Sequence, residues 1–191
     1  MKKSKKSPLS EQTLVLIKPD GVKRQLIGEV IGRFERVGLK LVACKMLVIP
    51  EDLAFKHYGA DEEWFENVGQ KTLEFYQEHG KDPNEELGTM KAKEIGKIVQ
   101  KWNVNYLTEG PVLAMIWEGF GAIEAVRKIV GSTFPDKASP GTIRGDYSFD
   151  SPFVADTEKR SVQNLIHASG KPEEAKLEIE LWFKEDEIQD Y

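Results

Sequence analysis

One cysteine, Cys44, is the only thiol in this chain of 191 residues. That excludes an internal disulfide framework and a cysteine-built metal cluster. Cys44 stands in an apolar, strand-like run, which places it in the core. Long apolar stretches are also missing, so no segment reads as a membrane span. There is no basic excess: the formal net charge is −5, which leaves no whole-chain footprint for nucleic acid. The local exception is the amino end, MKKSKKS, with four lysines. It reads as a flexible tail over residues 1–10, a weak polyanion contact or an expression remnant. No apolar run follows it, so a signal peptide is not expected and a cytoplasmic location is. Neither GxxxxGK[ST] nor GxGxxG occurs. No repeat with a period of 20–50 residues and no low-complexity segment is found.

What is present fits a soluble domain with a sizeable core: 40% hydrophobic and 31% charged residues over one large or two small domains. Residues 13–18 (TLVLIK) form a short apolar run that stops at Pro-Asp-Gly, a buried strand and then a turn. Ile27, Val30, Ile31 and Phe34 keep helical spacing, with Gly38 as the stop. Residues 39–49 read as a second strand ending at Pro50, and 51–58 as a short helix after that proline. Residues 112–117 are apolar throughout, as in a central strand. Ala122, Val126, Ile129 and Val130 mark another amphipathic helix. Residues 132–146 read as a long loop, 164–168 as a short fourth strand and 172–183 as a closing helix. The order βαβ, then βαβ, predicts an α/β ferredoxin-like sandwich with an antiparallel four-stranded sheet.

Two stretches interrupt that order. In 59–109, Trp64, Val68, Thr72 and Phe75 keep one helical face, and Ile95, Ile98, Val99, Trp102 and Tyr106 keep another. An inserted helical hairpin is predicted there. Residues 147–163 are a second, polar and irregular insertion. Loops of such length are usually functional or mobile.

Chemistry concentrates near the carboxyl end. His167 lies in NLIHASG. Ala175, Ile179, Trp182 and Phe183 form the apolar stripe of the helix that follows, and Glu178 points into it. A buried carboxylate needs a partner, and His167 is one short loop upstream. A carboxylate on one ring nitrogen fixes the tautomer and leaves the other nitrogen as a nucleophile. A purely structural His–Glu contact is the other reading of these two residues. Lys18, Arg127, Thr133 and Arg144 fall at element ends, where groups for phosphate oxygens are commonly presented. For each residue singly, an ordinary surface position is the alternative.

The segments LIKPDGVKRQLIGEVIGRFERVGLKLV, HY at 57–58, GPVLAMIWEGFGAIEAVRKIVGSTFPDKASPGTIRGDY, NLIHASG and EEAKLEIELWFK together resemble nucleoside diphosphate kinases. The pairing of GTIRGD with NxxHxS is highly specific. The resemblance implies ping-pong transfer of the terminal phosphoryl group of a nucleoside triphosphate to a nucleoside diphosphate through a phosphohistidine. It makes His167 the nucleophile, Glu178 its orienting carboxylate and Ser169 a neighbour. Lys18, Tyr58, Arg127, Thr133, Arg144 and Asn164 would hold phosphates and sugar. The substrate would be a Mg-nucleotide, with Mg²⁺ on the phosphates and no protein metal ligands. A tetramer or hexamer is implied; no membrane partner is expected, and the net charge of −5 makes a nucleic-acid role through the lysine-rich tail weak. Base stacking is expected on an aromatic near the start of the hairpin, Trp64 or else Phe65. Trp64 as plain hairpin core is the other reading. The two insertions, Gly170 in place of the usual Asp, and a chain that stops at Tyr191 depart from the family pattern. A nucleotide-binding regulatory or phospho-relay protein of the same fold is the alternative function.

Overall fold

The computed structural model describes residues 9–59 and 61–191. Strand β1 (Ser10–Ile17) and strand β3 (Val112–Phe120) form the centre of a four-stranded sheet of order β2-β3-β1-β4, with β2 (Lys40–Leu47) and β4 (Ile166–Ala168) at its edges. Every pairing is antiparallel. This is the ferredoxin-like sandwich the element order predicts. Most of the lysine-rich tail lies outside the described residues, and Ser10 already opens β1.

A short helix α1 (Pro19–Lys23) follows β1, and the two-residue period of the strands builds two cores. Val15 and Ile17 of β1 and Leu113, Met115 and Trp117 of β3 face α2 (Ile27–Glu35), α7 (Ala122–Val130) and α8 (Ile143–Tyr147). Leu14, Leu16, Val112, Ala114 and Ile116 face the other way, towards α3 (Glu51–His57), α6 (Ala92–Thr108) and α10 (Pro172–Trp182). On β4, Ile166 and Ala168 belong to the first core. His167 between them pairs with Leu16 and so points to the second face. Strand parity thus aims the histidine at the helices that carry His57 and Glu178.

The insertion at 59–109 is a helical hairpin of α4 (Glu62–Glu78) and α6, with a short α5 (Pro83–Leu87) at its tip. Its inner face differs from the expected one by about one position. Phe65, Gly69 and Tyr76 are buried on α4, whereas Trp64 and Val68 are half-buried. The reason is glycine, which an apolar count ignores. A Cβ on Gly69 would lie 1.7 Å from the Ala92 carbonyl oxygen, and one on Gly96 would lie 2.2 Å from that of Phe65. The helix backbones touch there, and this contact sets the rotation of α4.

Other expectations need correction. Cys44 is exposed, because β2 is an edge strand whose burial fades beyond a register shift between Leu41 and Ala43. The predicted loop 132–146 holds a 3-10 turn (Pro135–Lys137) and most of α8, where the Thr142 hydroxyl caps the Gly145 N–H. The irregular stretch 147–163 contains helix α9 (Pro152–Thr157), capped by Ser151. The fourth strand starts at Ile166, two residues late. Leu165 has φ +67° and the Ile166 N–H bonds the Asn164 carbonyl at 2.8 Å, a γ-turn. That conformation is strained for a branched side chain.

The backbone contact in the hairpin is testable. Gly96→Ala forces α4 and α6 apart and is expected to lower stability by about 1–3 kcal/mol, the usual cost of overpacking. Urea unfolding gives the magnitude. Hydrogen exchange should show α4 losing protection before Val104 and Leu107. Wild-type stability in this variant would contradict the close crossing.

Candidate active site

His167 and Glu178 meet as the helical spacing predicts. The Nε2 of His167 lies 2.8 and 3.0 Å from the two carboxylate oxygens of Glu178. The Ser169 hydroxyl donates to the same carboxylate at 2.5 Å and accepts the Leu14 N–H at 3.3 Å. Ser169 and Glu178 are both buried. Burial raises the Glu178 carboxyl, with His57 and the Ser169 hydrogen bond opposing it. Burial, then Lys18, hold His167 down at about 3. The pair is therefore a neutral imidazole donating from Nε2 to a carboxylate. Nδ1 carries the lone pair and makes no hydrogen bond among the described residues. A nitrogen in that state is a nucleophile.

A cationic unit adjoins it. Lys18 follows β1 directly. Its backbone N–H bonds the carbonyl of the strained Leu165, and its Nζ donates to Asn164 Oδ1 at 2.9 Å. The Asn164 amide donates in turn to the Thr133 carbonyl at 3.0 Å. Arg144, on α8, is 3% exposed and donates to the carbonyls of Asn164, Gly131, Ser132 and Ile166. It is built into the floor of the site rather than reaching out from a loop. Burial, then Arg127, lower it to about 10, so it stays charged at neutral pH. Arg127 is exposed on α7 and reaches the Ala168 carbonyl at 3.4 Å. Burial, then Arg144, bring Lys18 down to about 7. The fixed positive charge fits an anionic ligand.

The structure joins most of the predicted residues. His167, Glu178 and Ser169 form one bonded unit. Lys18, Asn164, Thr133 and Arg144 form a second, and Arg127 reaches the backbone between them. Tyr58 lies beside His57, ring centroids 5.1 Å apart, with its hydroxyl buried and unpartnered. Trp64 stands apart: its ring meets Phe65 at 5.6 Å, while Phe65 is the buried member of the pair.

Three residues were missed. His57 packs its ring on that of His167, centroids 4.5 Å apart. Its neighbour Tyr58 was singled out in the HY pair and His57 was not. The Tyr106 hydroxyl donates to Asp20 at 2.6 Å and accepts the Asn164 N–H at 3.2 Å, with Lys18 Nζ 4.8 Å from its ring centroid. In the sequence Tyr106 reads as helix-face packing, and Asp20 as part of a turn. His57, His167 and Glu178 bring donor atoms within 4.8 Å of one another. However, His167 and Glu178 are spent on each other, and Lys18, Arg127 and Arg144 all act on this histidine with positive charge. The cluster suits a proton and an anion better than a resident metal ion.

A carboxylate-held imidazole beneath lysine and arginines defines the site as one for group transfer from an anion, set on a ferredoxin-like sandwich. The family model described as nucleoside diphosphate kinase matches residues 11–78 and 70–188. The two matched segments overlap at residues 70–78, inside α4. The nucleoside diphosphate kinase of Pyrobaculum aerophilum is 49% identical over 178 residues, 93% of this chain and 97% of the relative. That of Borreliella burgdorferi is 40% identical, covering 96% and 93%. The crystal structure of an NDP kinase from Pyrobaculum aerophilum superposes with a TM-score of 0.92 at 48% identity, covering 94% of this chain and 98% of that one. A Borrelia burgdorferi nucleoside-diphosphate kinase described as a transition-state mimic with bound vanadate and ADP gives 0.77 at 39% identity, covering 97% and 94%. This chain belongs to the nucleoside diphosphate kinase family. The chain spans 97% of the first relative's length and 93% of the second's.

Lys18 gives a test independent of turnover. With its ammonium held near 7, most Lys18 is neutral at pH 8. A bound phosphate raises that value again, so binding of a nucleoside diphosphate at pH 8 should take up a proton. Calorimetry in two buffers of different ionisation enthalpy measures it. Lys18→Met should abolish the uptake, and zero uptake by the wild type would contradict the buried, neutral lysine.

Proposed function

We propose that this protein is a nucleoside diphosphate kinase that works through a phosphohistidine at position 167. The observation that carries the reading is the Glu178 carboxylate on Nε2 with Nδ1 unbonded, beside Lys18, Arg127 and Arg144. In the first half-reaction the Nδ1 lone pair attacks the γ-phosphorus of a nucleoside triphosphate. The bond to the bridging oxygen breaks and the diphosphate leaves. The ring then carries phosphorus on Nδ1 and a proton on Nε2, so it gains positive charge, which Glu178 offsets. The second half-reaction reverses these steps with another diphosphate as acceptor.

Catalysis of this kind is positioning plus electrostatic stabilisation of charge on the transferring oxygens. Arg127 and Arg144 supply fixed charge, Lys18 adds its charge once a bound phosphate restores its proton, and Mg²⁺ arrives on the nucleotide as part of the substrate. Asn164 and Thr133 lie where they can order Lys18 and the loop for phosphates and sugar. Tyr58 offers its unpartnered hydroxyl. Trp64, half-exposed on α4, is the candidate base platform, and stacking there gives little base selectivity. Assembly into an oligomer completes the reading. It is supported by the open edge of β2, where Met46 and the following Val48 are exposed.

His167→Ala should lose phosphate exchange between ATP and a second diphosphate by several orders of magnitude, while titration still detects nucleotide binding. Glu178→Gln should fold and bind but phosphorylate roughly ten- to a thousandfold more slowly. Rapid quench with γ-labelled ATP measures both. Substantial turnover in His167→Ala would end this reading.

A further inference from the structure

His57 packs its ring against that of His167, centroids 4.5 Å apart. It is the last residue of α3, and its side chain is 1% exposed. A buried imidazole needs a partner, and this one is specific. The indole N–H of Trp182 donates to His57 Nδ1 at 3.2 Å. Trp182 sits on α10 one helical turn beyond Glu178, so one helix supplies both the carboxylate and the clasp on its neighbour. An accepting Nδ1 assigns the His57 proton to Nε2.

The consequence falls on Glu178. His57 Nδ1 is 3.7 Å from a Glu178 oxygen, close enough to compete and too long for a hydrogen bond. With its lone pair taken by Trp182, Nδ1 has no proton to offer. Were it protonated, it would donate to Glu178 and draw the carboxylate from His167. The two imidazoles meet edge to face at 84°.

We propose that His57, clasped by Trp182, is a positioning residue that reserves Glu178 for His167 Nε2–H and thereby keeps Nδ1 of His167 as the reacting nitrogen. The charge around it is consistent. Burial, His167 and Lys18 hold the His57 ring neutral, near 3, against the pull of Glu178. Tyr58 faces it uncharged, its hydroxyl driven up by burial. Around His167, Lys18, Arg144 and Arg127 oppose protonation and Glu174 favours it. The inference rests on His167 being the nucleophile, and its test separates the two.

The clasp is removed in Trp182→Phe, which frees Nδ1 to take a proton. Phosphorylation of His167 at saturating MgATP should slow about tenfold or more, in the range of supporting hydrogen bonds, with nucleotide affinity within about twofold. The rate should acquire an acid limb, falling as pH drops, because protonated His57 captures Glu178. Ring ¹⁵N NMR of the resting protein should show His57 titrating in that limb and His167 losing its fixed Nε2–H tautomer. In the clasped protein, His57→Gln retains an uncharged acceptor and should phosphorylate faster than His57→Ala. A purely structural role predicts lower stability with the pH profile and the His167 tautomer unmoved. A Trp182→Phe profile that superposes on wild type would overturn the proposal, as would His57→Gln no faster than His57→Ala. If Trp182→Phe does not fold, the His57 pair decides. Absence of phosphohistidine in the wild type would overturn the proposed function, and the resting tautomers would still test His57.

Discussion

A single hydrogen bond, from Nε2 of His167 to the buried carboxylate of Glu178, organises this molecule. It needs a neutral ring and an ionised acid side by side in a place that disfavours both charges. The solution is to surround them with partners of fixed orientation. Ser169 donates to the carboxylate from a strand end held by Leu14. His57 packs on the ring of His167, and the Trp182 indole donates to its Nδ1. Lys18, Arg127 and Arg144 set positive charge towards the histidine and discourage its protonation. Among the described residues Nδ1 of His167 makes no hydrogen bond, and it lies beside groups suited to phosphate.

The sheet makes this possible by parity and by its ends. β1 is central, so Leu16 is fixed on both sides, and the histidine paired with it inherits that rigidity. The strand that carries His167 is only three residues long. Its short ladder is compensated by Arg144, which holds the carbonyls of Asn164 and Ile166, and by Lys18 N–H on Leu165. The strained Leu165 turn between them places Asn164 and His167 so that one meets Lys18 and the other meets Glu178. Local strain at a functional turn, over-determined by its surroundings, is a familiar arrangement.

Much of this was legible because periodicity carries direction. The spacing of Ala175, Ile179 and Trp182 was enough to turn Glu178 inward, and the βαββαβ order predicted the sheet. What stayed hidden depends on backbone contact or on edges. The face of α4 rotated because Gly69 and Gly96 let two helices touch, and hydrophobic patterning does not weigh glycine. Cys44 looked buried because an edge strand has the same composition as a central one. Arg144 looked like a loop cation because hydrogen bonds to carbonyls leave no trace in sequence. His57 was passed over for its neighbour, since nothing local links it to a tryptophan 125 residues away.

The arrangement around His167 decides which of its nitrogens reacts. The direct measurement is ³¹P and ¹⁵N NMR of the ring-labelled protein after brief exposure to MgATP under alkaline quench, where a phosphoramidate survives. With Glu178 on Nε2, the phosphorus should couple to Nδ1 of His167, and Nε2 should retain its proton. Phosphorus on Nε2, or on a residue other than His167, would contradict the account.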